Sequence, residues 1–207
     1  MSLTAFIFDI GNVLINFDQP RFQQRVAEDC GHSFEEIAAN WQNETLLAAE
    51  TGKVSCTVYF DEFKTRYGLE WSEEQWIKEY AAIYSVNEAG QSLFRDLKAA
   101  GHPVHLLSNL AEYNKKAIDL RYPSFFEQAD RVFFSYELGL HKPDSEIYRK
   151  VCASLELLPE QCVFFDDADA NVNAARELGM TDIHFHENKI EAIRKKLIAC
   201  GARLDTR

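Results

Sequence analysis

At 207 residues and 46% hydrophobic content, the chain is sized for one ordinary domain, or one domain carrying a large insertion. Its formal net charge of −11 argues against nonspecific nucleic-acid binding, and a polyanionic partner must be met by local positive charge or by a metal ion. Five scattered cysteines without a C-x-x-C pair argue against a disulfide framework or a zinc site, and no apolar run reaches membrane-spanning length. With no signal peptide visible, a reducing cytoplasm is the expected setting.

In chain order, the first element is the apolar run AFIFD (5–9), read as a buried strand that ends in Asp9 and turns at Gly11 and Asn12. The stretch 17–85 then holds no strong strand but several helix starts. Ser33 with Glu36, and Ser72 with Gln75, are capping-box patterns. Phe22 and Val26, then Tyr59, Phe63 and Tyr67, then Trp76, Tyr80 and Ile83 fall on helical faces. Trp41, Trp71 and Trp76 all lie here, and core packing is the expected use of these aromatics, with a few lining a pocket. Four more strands follow: PVHLLSN (103–109), RVFFS (131–135), CVFFDD (162–167) and DIHFH (182–186). Helical patterns separate them, the first ending at Gly101, and another, KIEAIRKKLIACG, comes last. This alternation predicts a doubly wound, Rossmann-like parallel α/β sheet built from residues 1–16 and 86–207, with a small helical cap inserted at 17–85. Polar residues and Gly90 at the second junction are expected to hinge the cap over the sheet.

Ligands of open α/β sheets bind beyond the carboxyl ends of the strands. Four such places carry polar groups here: Asp9, the pair Ser108 and Asn109, Lys142 in LHKPD, and the pair Asp166 and Asp167. Together they suit phosphoryl transfer. A carboxylate can serve as nucleophile, two carboxylates from separate loops can hold Mg²⁺, a lysine neutralises phosphoryl oxygens, and hydroxyl and amide groups donate to them. Taken singly, the first three also read as a turn, a cap and a loop. Two adjacent acids ending an apolar strand are the stronger signal, because they repel unless a cation is present.

FIFDIGNVL, HLLSN, HKPD and VFFDDADANVNAARELGM resemble, in order and over the whole chain, the four motifs of the haloacid-dehalogenase-like hydrolase superfamily. FDIGNV and FFDDADAN carry a closer resemblance to bacterial α-glucose-1-phosphate phosphatases. The resemblance implies a Mg²⁺-dependent phosphatase of a small phosphorylated metabolite. In it, Asp9 is nucleophile and metal ligand, Gly11 offers its carbonyl to the metal, and Ser108 and Asn109 bind phosphate. Lys142 bridges nucleophile and phosphoryl group, Asp167 is the further metal ligand with Asp166 supporting it, and Asn171 stands where many relatives have another Asp. Most phosphatases of the superfamily carry Asp at the place of Gly11 as general acid and base; this sequence departs from them there. A haloacid dehalogenase, a phosphonatase-type hydrolase and a weakly catalytic phospholigand-binding protein are the alternatives. Without an acid at position 11, esters with acidic leaving groups are expected to be favoured, sugar-1-phosphates over their 6-phosphate isomers, unless Asp18, another cap residue or water supplies the proton.

Among the other residues, Asp18 reads first as a helix cap and His105 as a core histidine. His184 and His186 alternate on one strand without an evident third metal ligand. His141 stands next to Lys142 and so near the site.

Overall fold

The computed structural model describes residues 3–204. Five strands form one parallel sheet: β1 (Ala5–Phe8), β4 (Val104–Ser108), β5 (Arg131–Phe134), β6 (Cys162–Asp166) and β7 (Thr181–His184), in the order β5-β4-β1-β6-β7. These are the five expected strands. A parallel sheet buried on both faces needs continuous apolar runs, and β1, β4 and β6 are buried throughout. Successive residues of β1 alternate between two cores: Phe6 and Phe8 share one with Phe165, while Ala5 and Ile7 share the other with Phe164 and Tyr148. The first face is covered by α6 (Glu88–Ala99) and α11 (Ile190–Ala199) through Leu93, Leu97, Ile193 and Leu197. The second is covered by α9 (Ser145–Leu155) and α10 (Asp169–Glu177) through Ile147, Val151 and Ala175. Helix α7 (Glu112–Arg121) follows β4, and the short α8 (Ser135–Leu138) follows β5.

Between β1 and α6 the chain departs from the sheet. A two-stranded antiparallel ribbon, β2 (Ile15–Phe17) with β3 (Tyr84–Val86), stands at the root of this excursion. Strands of three residues carry too little pattern to be read in advance. Between them run α1 (Gln19–Cys30), α2 (Phe34–Ala39), α3 (Glu44–Glu50), α4 (Cys56–Tyr67) and α5 (Glu73–Ala81). Asp18 caps α1 by accepting from Arg21 N at 3.1 Å, Ser33 caps α2 and Ser72 caps α5, as their sequence contexts predict. Phe22 centres the packing, edge-on to Trp41, Trp76 and Tyr80 at 5.4, 5.0 and 4.6 Å, and Trp41 stacks on Trp76 at 5.7 Å.

This aromatic core does not stop at the inserted helices. Tyr113 of α7 meets Tyr59, Trp76 and Tyr80 at 6.2, 6.0 and 5.1 Å, so insertion and sheet share one continuous core. Gly90 lies within the first turn of α6, where a Cβ would come 1.7 Å from the Val13 carbonyl oxygen. Its small size serves close backbone packing. Asn87 pins the same junction, accepting from Gly90 N and donating to the Asn12 carbonyl and to Asn16 Oδ1.

Candidate active site

Because β1 pairs with β4 on one side and β6 on the other, their carboxyl ends bring Asp9, Ser108 and Asp166 to one edge. Lys142 enters from the loop between α8 and α9, with its ammonium buried among them. Nζ lies 2.8 Å from Asp9 Oδ1 and 2.6 Å from Asp166 Oδ2, and donates to the Leu107 carbonyl at 3.3 Å. Burial works against this ammonium, yet the charges of Asp9 and Asp166 and hydrogen bonds to both carry its pKa above the usual lysine value. Burial dominates at Asp9, whose pKa is pushed up to about 6; Lys142 opposes the rise and Asp166 adds to it. Lys142 thus holds Oδ1, while Oδ2 lies on the Gly11 side, 3.9 Å from where a Cβ at Gly11 would sit.

Asp166 is fully buried and its oxygens are occupied. Besides Lys142, it accepts from Ala168 N at 2.9 Å and from Asn171 Nδ2 at 3.0 Å to each oxygen. Asn171 is therefore a donor that orients Asp166. Asp167 is more open and accepts from Asn12 Nδ2 at 2.9 Å through Oδ2, while its carbonyl lies 2.9 Å from His184 Nε2. Asp9, Asp166 and Asp167 each offer an oxygen within 4.8 Å of the others. The hard oxygens of Asp9 and Asp167, with the occupied Asp166 carboxylate beside them, fit Mg²⁺, which offsets their mutual repulsion.

Ser108 is buried at the end of β4. Asn109 does more than its sequence position indicates: Oδ1 accepts from Lys142 N at 2.9 Å and Nδ2 donates to the Lys142 carbonyl at 2.9 Å. Both ends of this amide clamp the loop that delivers the lysine. His141 is drawn in with it, while His105 is a buried strand residue whose pKa burial lowers. His184 pairs with Asp169 at 3.0 Å, and its ring lies 4.2 Å from that of His186 at a tilt of 51°. Asp18 is exposed and committed to capping.

Beside the carboxylates lies a cavity of about 150 Å³. Gly11, Ser108 and Asn109 line its floor; Trp41, Gln42, Glu50 and Tyr80 come from the inserted segment, and Tyr113 and Asn114 from α7. Gln19 also lines it, and its Nε2 is buried without a protein hydrogen-bond partner among the described residues. Local sequence does not by itself mark Asn12, Gln19 or Glu50 as site residues. Asn12 had a signal, since Asn tolerates the positive φ of 53° it adopts after Gly11. Glu50 and Gln19 are ordinary polar helix residues by sequence, with nothing to set them apart.

A family model for haloacid dehalogenase-like hydrolases matches residues 3–179. A sesquiterpene phosphatase of Aspergillus oryzae is 25% identical over 199 residues, covering 95% of this chain and 97% of its own. A D-ribitol-5-phosphate phosphatase of Bacteroides thetaiotaomicron is 23% identical over 192 residues, covering 84% of this chain and 87% of its own. Among solved structures, a haloacid dehalogenase-like family enzyme of Bacteroides thetaiotaomicron, in complex with magnesium and inorganic phosphate, superposes with a TM-score of 0.78. It is 24% identical and covers 90% of this chain and 96% of its own.

Proposed function

The chain belongs to the haloacid dehalogenase-like hydrolase family, and we propose that it is a Mg²⁺-dependent phosphatase of a small phosphate monoester, a sugar phosphate above all, acting through a phospho-aspartate on Asp9. The observation that carries this reading is the buried Asp9–Lys142–Asp166 array, with Asp167 beside it and a small cavity adjoining. In this reading Asp9, Asp167 and the Gly11 carbonyl hold Mg²⁺, and Asp166 supports them. When bound, the metal supplies positive charge to the phosphoryl oxygens. Asp9 Oδ2 attacks phosphorus, since Lys142 already holds Oδ1, and the bond to the leaving oxygen breaks. Lys142 stabilises charge on the phosphoryl group as it moves, with Ser108 donating to it. Water then releases phosphate from Asp9. Asn109 keeps Lys142 in register throughout.

The substrate's carbon portion fits the cavity as a compact polar group. Aromatic faces from Trp41, Tyr80 and Tyr113 with amide tips from Gln19, Gln42 and Asn114 suit the alternating apolar faces and hydroxyls of a sugar. The phosphatase names of both curated relatives support the reaction, and the D-ribitol-5-phosphate phosphatase supports the substrate class. Residues 17–85 act as the selecting cap, and 1–16 with 86–207 as the catalytic core.

The test is phosphate release from sugar, nucleotide and other organic phosphates, with Mg²⁺ or with EDTA, by wild type and Asp9→Asn. Release that needs both Mg²⁺ and Asp9 is expected. Metal-independent halide release from a 2-haloacid, without phosphate release, would replace the proposal with a dehalogenase.

A further inference from the structure

A phosphatase of this kind must protonate its leaving oxygen, and position 11 carries no acid to do so. Asp18 is exposed, caps α1 and does not line the cavity. Glu50, the last residue of α3, does line it, together with Gly11, Ser108 and Asn109. Its Oε2 lies 3.0 Å from His141 Nε2. The other ring nitrogen, Nδ1, lies 2.7 Å from the Lys142 carbonyl and 3.0 Å from Asn109 Nδ2. At 2.7 Å from that carbonyl Nδ1 must carry hydrogen and donate to it, because two bare acceptors would repel there. For the same reason a proton must lie between Nε2 and Oε2, which are 3.0 Å apart.

The inserted helix and the Lys142 loop therefore hold one shared proton at the cavity wall. Backbone packing fixes this meeting. Gly52, two residues beyond Glu50, takes a φ of +66° and packs so tightly on the core that a Cβ would come 2.1 Å from the Tyr136 carbonyl oxygen. Only glycine satisfies both conditions at that contact.

The geometry points to Glu50, backed by His141, as the acid and base that replaces the missing carboxylate at position 11. The inference rests on the phosphatase reading above. In the first step the Asp9 Oδ2–phosphorus bond forms as the bond from phosphorus to the leaving oxygen breaks. The proton between Glu50 and His141 passes to that oxygen, and the alcohol departs neutral. In the second step a water oxygen attacks phosphorus and returns a proton to the Glu50–His141 pair. The Asp9–phosphorus bond breaks, inorganic phosphate leaves, and both groups are restored. Glu50 touches the substrate in this scheme; His141 is a positioning residue that shares the proton.

The experiment compares two leaving groups on Mg²⁺-loaded wild type, Glu50→Gln, His141→Asn and Gly52→Ala. p-Nitrophenyl phosphate releases a stable anion, whereas a sugar 6-phosphate must release an alkoxide unless protonated. For Glu50→Gln, the sugar 6-phosphate rate should fall by about 10²-fold or more. The first nitrophenolate burst should stay near the wild-type rate, followed by slow turnover as the phospho-aspartate waits for a base. His141→Asn should show the same selective loss, smaller in size. Gly52→Ala keeps both acid–base groups but pushes α3 away, so it should also lose the 6-phosphate rate selectively. Equal losses for both leaving groups would overturn the inference by making Glu50 merely structural. An unchanged 6-phosphate rate in Glu50→Gln would overturn it outright. A wild type that releases phosphate from neither ester would instead sink the phosphatase reading.

Discussion

The floor and the roof of the cavity are built on opposite principles. The floor, made by Gly11, Ser108 and Asn109, rests beside a charged array, with Asp9, Lys142 and Asp166 buried and each held by at least one ion pair. Asp9 and Asp166 sit at strand ends, where hydrogen bonding to neighbouring strands fixes the backbone, and Lys142 reaches them from the α8–α9 loop. The roof is rich in aromatic rings that pack on one another, carried by helices and by the α2–α3 turn, with polar tips at the cavity surface. In the proposed reaction the floor treats every phosphoryl group alike, and the roof reads what is attached to it. Charges that must stay fixed through bond making and breaking are held by a sheet, while shape recognition falls to side chains on an insertion.

The largest expected effect is on the floor. Asp9→Asn should abolish turnover, because an amide is a poor nucleophile. The same variant should be more stable than wild type when metal-free. Burial raises the folded-state pKa of Asp9 from 3.8 to about 6. Between those values the folded chain keeps a proton that the unfolded chain releases. At about pH 7 the charged group thus lowers stability, by on the order of 1–3 kcal/mol. Thermal melts in EDTA should show Asp9→Asn melting above wild type at about pH 7, with the gap closing as pH falls towards 4. An unchanged or lower melting temperature at neutral pH would mean that burial does not disfavour the Asp9 carboxylate.

Lys142→Met should both slow turnover and destabilise the fold, because it leaves two buried carboxylates without their shared cation. Breaking a buried pair this way typically costs about 3–5 kcal/mol. Urea unfolding should show a large drop without metal and partial recovery with Mg²⁺. Equal loss in both conditions would mean that the metal and the lysine do not share the same charges.

Trp76→Ala tests the roof. Removing a buried aromatic costs about 3–5 kcal/mol. Because Trp76 contacts Tyr113 of α7 as well as Trp41 and Phe22, the cap and the sheet should lose stability together in a single transition. Separate melting of the insertion, with the sheet intact, would mean that the cap is an independent unit.

The smallest effect is expected at the seam between them. Asn12→Gly keeps the positive φ but loses the hydrogen bond to Asp167. Mg²⁺ affinity should fall by about 10-fold, as when a metal ligand loses its supporting partner. Titration calorimetry would read this directly, and unchanged affinity would mean that Asp167 needs no help from Asn12.

Much was legible in advance because its cause is local. Apolar runs ending in polar residues mark β1, β4 and β6 and put Asp9, Ser108 and Asp166 at carboxyl ends of strands; the pairing of β1 with β4 and β6 then makes them neighbours. Helix caps at Asp18, Ser33 and Ser72 are decided within a few residues of chain, and so they too read correctly. The ribbon of β2 and β3, the shared core through Tyr113 and the tight seat of Gly90 depend on segments tens of residues apart. The amide of Asn109 illustrates the same limit at the site: its type and place were plain, but its grip on the Lys142 backbone exists only once β4 and the α8–α9 loop meet. The pairing of Glu50 with His141 lies furthest from local pattern. Glu50 carries no motif, and although His141 opens HKPD, the proton between them is held by docking α3 against the loop 91 positions away in sequence. Sequence determines which groups each segment can present; the docking of segments decides which of those groups share a proton, a charge or a cavity.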